Sequence, residues 1–139
     1  MLTVVAALIE SDGELLLCQR RRGDTLGLLW EFPGGKVNPG EPLKAALRRE
    51  LREELGVESE IGAEVYRVQH QYSKTGEPLE LIFFAASAPR NEMQNLAFEQ
   101  IAWRKPERLP ELDFLPADKD LIEKLATGAI RIPQIARGG

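Results

Sequence analysis

Pro33-Gly34-Gly35-Lys36-Val37-Asn38-Pro39-Gly40-Glu41-Pro42, followed closely by Arg49-Glu50-Leu51-Arg52-Glu53-Glu54-Leu55-Gly56-Val57, decides how this chain folds. Pro42 suits the start of a helix and Gly56 its C-terminal stop. Between them Leu43, Leu47, Leu51 and Leu55 recur every four residues, the mark of a buried helical stripe. On that helix Glu50, Glu53 and Glu54 stand at i, i+3 and i+4, on a contiguous arc beside the leucines. Lys44, Arg48 and Arg52 gather on the other side. Glu50 and Glu54 repel across one turn at about 0.2–0.5 kcal/mol, and a local rule broken in this way points to a functional site. A hard divalent cation such as magnesium, which takes oxygen ligands, is the natural compensation.

The rest of the chain sets the frame for that helix. Its 139 residues fit one domain spanning 1–139, long enough to bury a sizeable core. Hydrophobic residues at 43% and charged residues at 29% describe a soluble globular chain. A net charge of −4 argues against a broad nucleic-acid surface, yet leaves room for small anions bound through a metal. The single cysteine, Cys18, falls in an apolar run and reads as a small buried hydrophobe, with no disulfide or thiolate metal site. With no basic leader and no apolar run of membrane-spanning length, cytoplasmic residence is expected.

On the N-terminal side, Leu2 to Ile9 and Glu14 to Arg20 read as strands joined into a hairpin by Ser11-Asp12-Gly13. Arg20-Arg21-Arg22-Gly23-Asp24 opens a loop that closes at Leu28 to Phe32, and Pro33-Gly34-Gly35 predicts an irregular backbone. On the C-terminal side, Ala63–Tyr72 and Leu79–Ala88 read as strands around a turn at 73–78. Gln100 to Trp103 is a third strand, Lys105 to Leu109 a short helix or turn, and Ala117 to Ala126 a helix ending at Gly128. The tail, 128–139, has no clear period; packing back and serving as an interface are both open. His70, among glutamines in a strand pattern, reads as a pocket or structural residue.

The spacing Gly35, Glu41, Arg49, Glu50, Leu51, Glu53, Glu54, Gly56, Val57 resembles the Nudix box (35–57) at every defined position. The preceding Trp30 to Lys36 looks like its MutT-type branch. The resemblance implies a Nudix fold of the α/β (α+β) class, a mixed, curved β-sheet sandwiched between α-helices. It also implies hydrolysis of a nucleoside diphosphate linked to another group, with Mg2+ or Mn2+ as cofactor. Carried over by residue, Glu53 and Glu54 are expected to ligate metal, with Glu50 a further ligand or the general base. The Gly34 carbonyl would join them, Arg49 would orient a box carboxylate, and Glu41 would support the loop. An extra acidic ligand before Trp103 falls nearest to Glu99.

The same resemblance suggests substrate contacts. Arg20, ending the second strand, is expected to touch phosphate. Phe32 is expected beside the base pocket, with plain core packing as its other reading, and core packing is favoured for Trp30. Leu115-Pro116-Ala117-Asp118 resembles the segment lining that pocket, although Asp118 can also be read as a helix N-cap. Asp118 differs from the asparagine of MutT itself, because an ionised carboxylate only accepts hydrogen bonds. A basic phosphate contact common before the Leu79 strand is replaced by Glu77-Pro78, with Lys74 nearby. The expected activity is pyrophosphohydrolysis of nucleoside triphosphates, including oxidised or modified ones, to monophosphate and pyrophosphate. The expected partners are nucleotides rather than nucleic-acid polymers or membranes, and a monomer or homodimer is expected. Hydrolysis of ADP-ribose or dinucleoside polyphosphates, and a non-catalytic nucleotide-binding module, are the other readings.

Overall fold

The computed structural model describes residues 1–135; residues 136–139, part of the tail considered above, lie outside the described residues. In chain order the strands and helices are β1 (Leu2–Ser11), β2 (Glu14–Gln19), β3 (Trp30–Glu31), β4 (Gly34–Lys36), α1 (Leu43–Leu55), β5 (Glu60–His70), β6 (Leu79–Ser87), β7 (Gln100–Arg104) and α2 (Lys119–Thr127). Short 3-10 turns cover Arg90–Glu92, Pro106–Glu111 and Pro116–Asp118.

The expected β1–β2 hairpin is present but brief. The two strands pair antiparallel only at Glu10↔Leu15 and Ser11↔Glu14. Beyond that they diverge, because each finds a longer partner elsewhere. β1 runs parallel to β6 from Leu2↔Leu79 to Ile9↔Ala86 and antiparallel to β4. β2 pairs with β3 on one side and β7 on the other, and β5 closes the far edge against β6, with irregular register between Ile61 and Tyr66. The result is a mixed, splayed sheet, the α+β arrangement expected from the sequence.

Both faces of this sheet are covered, which explains why β1, β2 and β6 read as continuous apolar runs rather than alternating ones. Alternation is still at work. Val5, Ala7, Ile9, Leu16, Cys18, Ile82 and Phe84 face one core, filled by Ala46, Leu47, Leu51 and Leu55 of α1. Ala6, Leu8, Leu15, Leu17, Leu81 and Phe83 face a second core closed by Leu121, Ile122 and Leu125 of α2. Trp30 and Phe32 belong to this second core. Ile130 and Ile132 also pack there, and Gly62 lies against Ile135, so the described part of the tail folds back onto the domain.

One expectation needs refining. Gly34–Lys36 is not merely irregular: it forms β4, pairing Val4↔Lys36, Val5↔Gly35 and Ala6↔Gly34. Pairing at this range requires glycine, since a Cβ on Gly34 would stand 2.0 Å from the Val5 carbonyl oxygen.

Candidate active site

The site grows from the junction of β4 and α1. Gly56 takes a left-handed conformation (φ 65°), and its N–H bonds the Arg52 carbonyl, stopping the helix. The loop before α1 returns the chain so that β4 lies over the glutamate face. A Cβ on Gly35 would stand 2.5–2.7 Å from the Glu50 carboxyl atoms, so that carboxyl nests against a glycine surface. The Gly34 backbone N–H donates to Glu54 Oε1 at 3.0 Å. Two of the three predicted carboxyls are thereby tied to the Gly-Gly strand, whereas Glu53 points to solvent with 58% of its side chain exposed.

Arg49 locks this arrangement. Its guanidinium donates to both carboxylate oxygens of Glu41 at 2.9 and 3.0 Å, to Glu50 Oε1 at 2.9 Å and to the Lys36 carbonyl at 3.1 Å, with longer contacts to Glu53. These bonds hold the Glu41 carboxyl down to about 2 and push the arginine up, so it stays a cation throughout. Arg49 thereby links the Glu41 and Glu50 carboxyls to one guanidinium. Glu41 anchors it and also accepts from the Asn38 N–H at 3.1 Å.

The electrostatics set Glu54 apart. Burial, then the Glu50 charge, push its carboxyl up to about 9, against the bond from Gly34. Glu50 is also raised, chiefly by burial, with Arg49 opposing. Two acidic groups are thus held in a place that disfavours their charge, the condition a bound cation relieves. Glu99 lies on the loop before β7, where its carboxyl accepts from the Arg22 backbone N–H at 3.3 Å. Among the described residues, no three acidic, histidine or cysteine side chains are gathered closely enough to hold a metal as they stand.

A cavity of about 150 Å3 opens beside Gly34 and Gly35, walled by Phe32, Leu79, Leu81, Phe83 and Leu115. Phe32 makes an edge-to-face contact with Phe83 at 5.9 Å; it is a core residue that also lines the cavity. Asp118 is 2% exposed and lines the same space. It occupies the N-cap position of α2, but its side chain makes no capping bond, and Oδ1 is buried with no hydrogen-bond partner. Asp118 thus stands at the cap position without capping through its side chain. Burial, then the nearby Glu31 charge, push its carboxyl up to about 8.

Arg20 is engaged within the protein. It donates to the Thr25 carbonyl at 2.8 Å and to Glu31 at 3.2 and 3.3 Å, securing a loop in which Leu26 and Leu28 adopt positive φ. Glu31 and Tyr72 also line the cavity and were missed in the sequence. The available signal was Glu31 itself, a charge set between two buried aromatics. His70 stacks edge-on against Tyr72 at 4.3 Å, behind the cavity rim.

Comparison with known proteins agrees with this geometry. The NUDIX domain model matches residues 1–125. The chain belongs to the Nudix hydrolase family, and it is a hydrolase of the MutT-like kind. It is 40% identical over 123 residues to the CTP pyrophosphohydrolase of Escherichia coli (strain K12), covering 88% of this chain and 90% of that one. It is 39% identical over 124 residues to the nucleoside triphosphatase NudI of Salmonella agona, covering 80% and 86%. Among solved structures, the MutT protein from Methanosarcina mazei Go1 superposes with a TM-score of 0.80 at 28% identity over 92% of this chain and 94% of that one.

Proposed function

We propose that this protein hydrolyses nucleoside triphosphates, including oxidised or modified ones, to nucleoside monophosphate and pyrophosphate, with Mg2+ or Mn2+ as cofactor. One observation carries the reading: Glu50 and Glu54, both raised by burial, lie under the Gly34–Gly35 backbone, Glu50 held by Arg49 and Glu54 by the Gly34 N–H. The donor set is all hard oxygen, which fits magnesium or manganese. Glu53, Glu54, Glu50 and the Gly34 carbonyl would hold the ion, and Glu99 would join from its loop. Bound there, the ion would neutralise phosphate oxygens and acidify water.

The chain's own residues do the rest. Glu50, held by Arg49 and nested on Gly35, accepts the proton of the attacking water. Such proton transfer typically contributes about 10²–10⁴-fold to rate. Arg20, once released from Glu31, reaches the phosphates. The apolar cavity takes the base between Phe32 and Leu115, with Asp118 at its polar end. No helix among the described residues is long and apolar enough to cross a membrane, and the substrate we assign is the soluble, cytoplasmic nucleotide pool. Both relatives named above are called hydrolases of nucleoside triphosphates, which supports this substrate class over ADP-ribose or dinucleoside polyphosphates.

The test is a panel of canonical and oxidised nucleoside triphosphates, ADP-ribose and dinucleoside polyphosphates incubated with protein and Mg2+, with products identified. Monophosphate and pyrophosphate from triphosphates is the expected result. Preferred cleavage of ADP-ribose would move the substrate class, and no turnover at all would make the protein a binding module.

A further inference from the structure

Residues 93–99, between the Arg90–Glu92 turn and β7, form no regular element, yet their backbone is bonded to two others. A helix leaves its last four carbonyls without an internal partner. Two of those of α1 are answered from this segment. The Gln94 N–H donates to the Leu55 carbonyl at 2.9 Å and the Leu96 N–H to the Glu54 carbonyl at 3.0 Å. At the far end, the Glu99 N–H donates to the Gln19 carbonyl of β2 at 2.9 Å. Between these anchors the Phe98 ring is buried in the core under α1.

One side chain shapes the segment. Asn95 Nδ2 donates to the Phe98 carbonyl at 2.9 Å, and Asn95 Oδ1 accepts from the Phe98 N–H, also at 2.9 Å. The planar Phe98–Glu99 peptide is therefore held at both polar ends, its carbonyl by Asn95 and its N–H by Gln19. On the other side of the Glu99 Cα, Gln100 is fixed by its pairing with Gln19. The Glu99 carboxyl meanwhile rests on the Arg22 N–H, a long contact of 3.3 Å.

Resting on the reading of the α1 carboxyls as a divalent-cation site, we infer that Asn95 is a positioning residue for that cation: it holds the Glu99 backbone ready, in a segment bracketed to the helix end that carries Glu53 and Glu54. Among the described residues, acidic side chains are not gathered closely enough to hold a metal as they stand, so Glu99 must turn away from Arg22 to join the others. With its backbone pinned, that turn is a rotation of the side chain alone. Without Asn95, both polar groups of Phe98 lose their partner, and cation binding would have to order the segment as well.

The test uses wild type, Asn95→Ala, Asn95→Ser, Glu99→Gln and the double variant Asn95→Ala with Glu99→Gln. Binding of Mn2+ to each metal-free protein is followed by electron paramagnetic resonance of the free ion, and Tm is recorded without metal. Asn95→Ala should weaken Mn2+ binding about tenfold, the low end for residues that orient a ligand. Asn95→Ser, whose hydroxyl can still accept from the Phe98 N–H, should recover part of that loss. The double variant should bind Mn2+ no more weakly than Glu99→Gln alone, because Asn95 acts through Glu99. A merely structural role would lower Tm and leave the affinity alone. That result, losses that add in the double variant, an affinity unmoved by Glu99→Gln, or a wild type that binds no Mn2+ would overturn the inference. If Asn95→Ala does not fold, the same cycle run with Asn95→Ser decides. None of these arms needs turnover. The expected Mn2+ losses in a protein that cleaves no triphosphate would unseat the hydrolytic reading and leave this one standing. Triphosphate cleavage with equal Mn2+ affinity in wild type and Asn95→Ala would do the reverse.

Discussion

Asp118 and Glu54 make the same physical point in different places: each is an acid held where its charge is disfavoured. For Asp118 the folded carboxyl, near 8, lies above its unfolded value of about 3.9. Between those values the native state binds more protons than the unfolded one, so stability is complete below about 4 and declines as pH rises towards 8. Urea unfolding of the metal-free protein from pH 5 to 9 should show this decline, and Asp118→Asn should lessen it, leaving the part that Glu54 contributes. Glu41 has the opposite sign. Its carboxyl is held near 2 by Arg49, so its contribution is present above the unfolded value and is lost only as pH falls towards 2. Arg49→Lys keeps the charge but loses the fork that grips Glu41 and Glu50 together. It should lower kcat by about 10–100-fold, the usual effect of losing a group that orients a metal ligand, with KM changed far less.

The α1 helix was the most legible element, because its leucine stripe, Pro42 and Gly56 all specify the same span, and it is observed at Leu43–Leu55. Leu51 is fully buried against the sheet. Leu51→Ala should cost about 2–5 kcal/mol in chemical denaturation. The Gly-Gly strand was less legible: glycine signals a close approach but not what approaches. The two glycines now separate by mechanism. Gly34→Ala drives a methyl into the Val5 carbonyl and the β1 backbone, which cannot yield, so loss of several degrees of Tm is expected. Gly35→Ala meets the end of the Glu50 side chain, which can move aside. It should keep near-native Tm while activity falls, the reverse of the pattern for Gly34→Ala. The β1–β2 hairpin was half legible, since a turn signal fixes two residues of register but not the longer ladders that compete for each strand.

Over the whole molecule, the sheet covered on both faces hid the usual alternation of β1 and β6, so the sequence could mark strands but not say which core each residue served. The candidate site divided along the same lines. The acidic end beside α1 was readable because its residues are contiguous in one helix and loop. The cavity end was readable only in part: Phe32 and Asp118 were named from the sequence, whereas Glu31 and Tyr72 come from distant segments that meet only after folding. Linkage across the site gives a measurable signature: Glu54 is held protonated at neutral pH, so binding of Mg2+ through its carboxylate should release a proton, seen as a calorimetric heat that varies with buffer ionisation enthalpy. The most direct measurement of all is kcat for conversion of a nucleoside triphosphate to monophosphate and pyrophosphate by wild type and Glu54→Gln, with Tm recorded for the same metal-free samples at pH 8. If Glu54 is a metal-holding carboxylate placed at the expense of stability, kcat falls at least about 100-fold while Tm stays level or rises. Activity within a few-fold of wild type in a folded Glu54→Gln protein would contradict it.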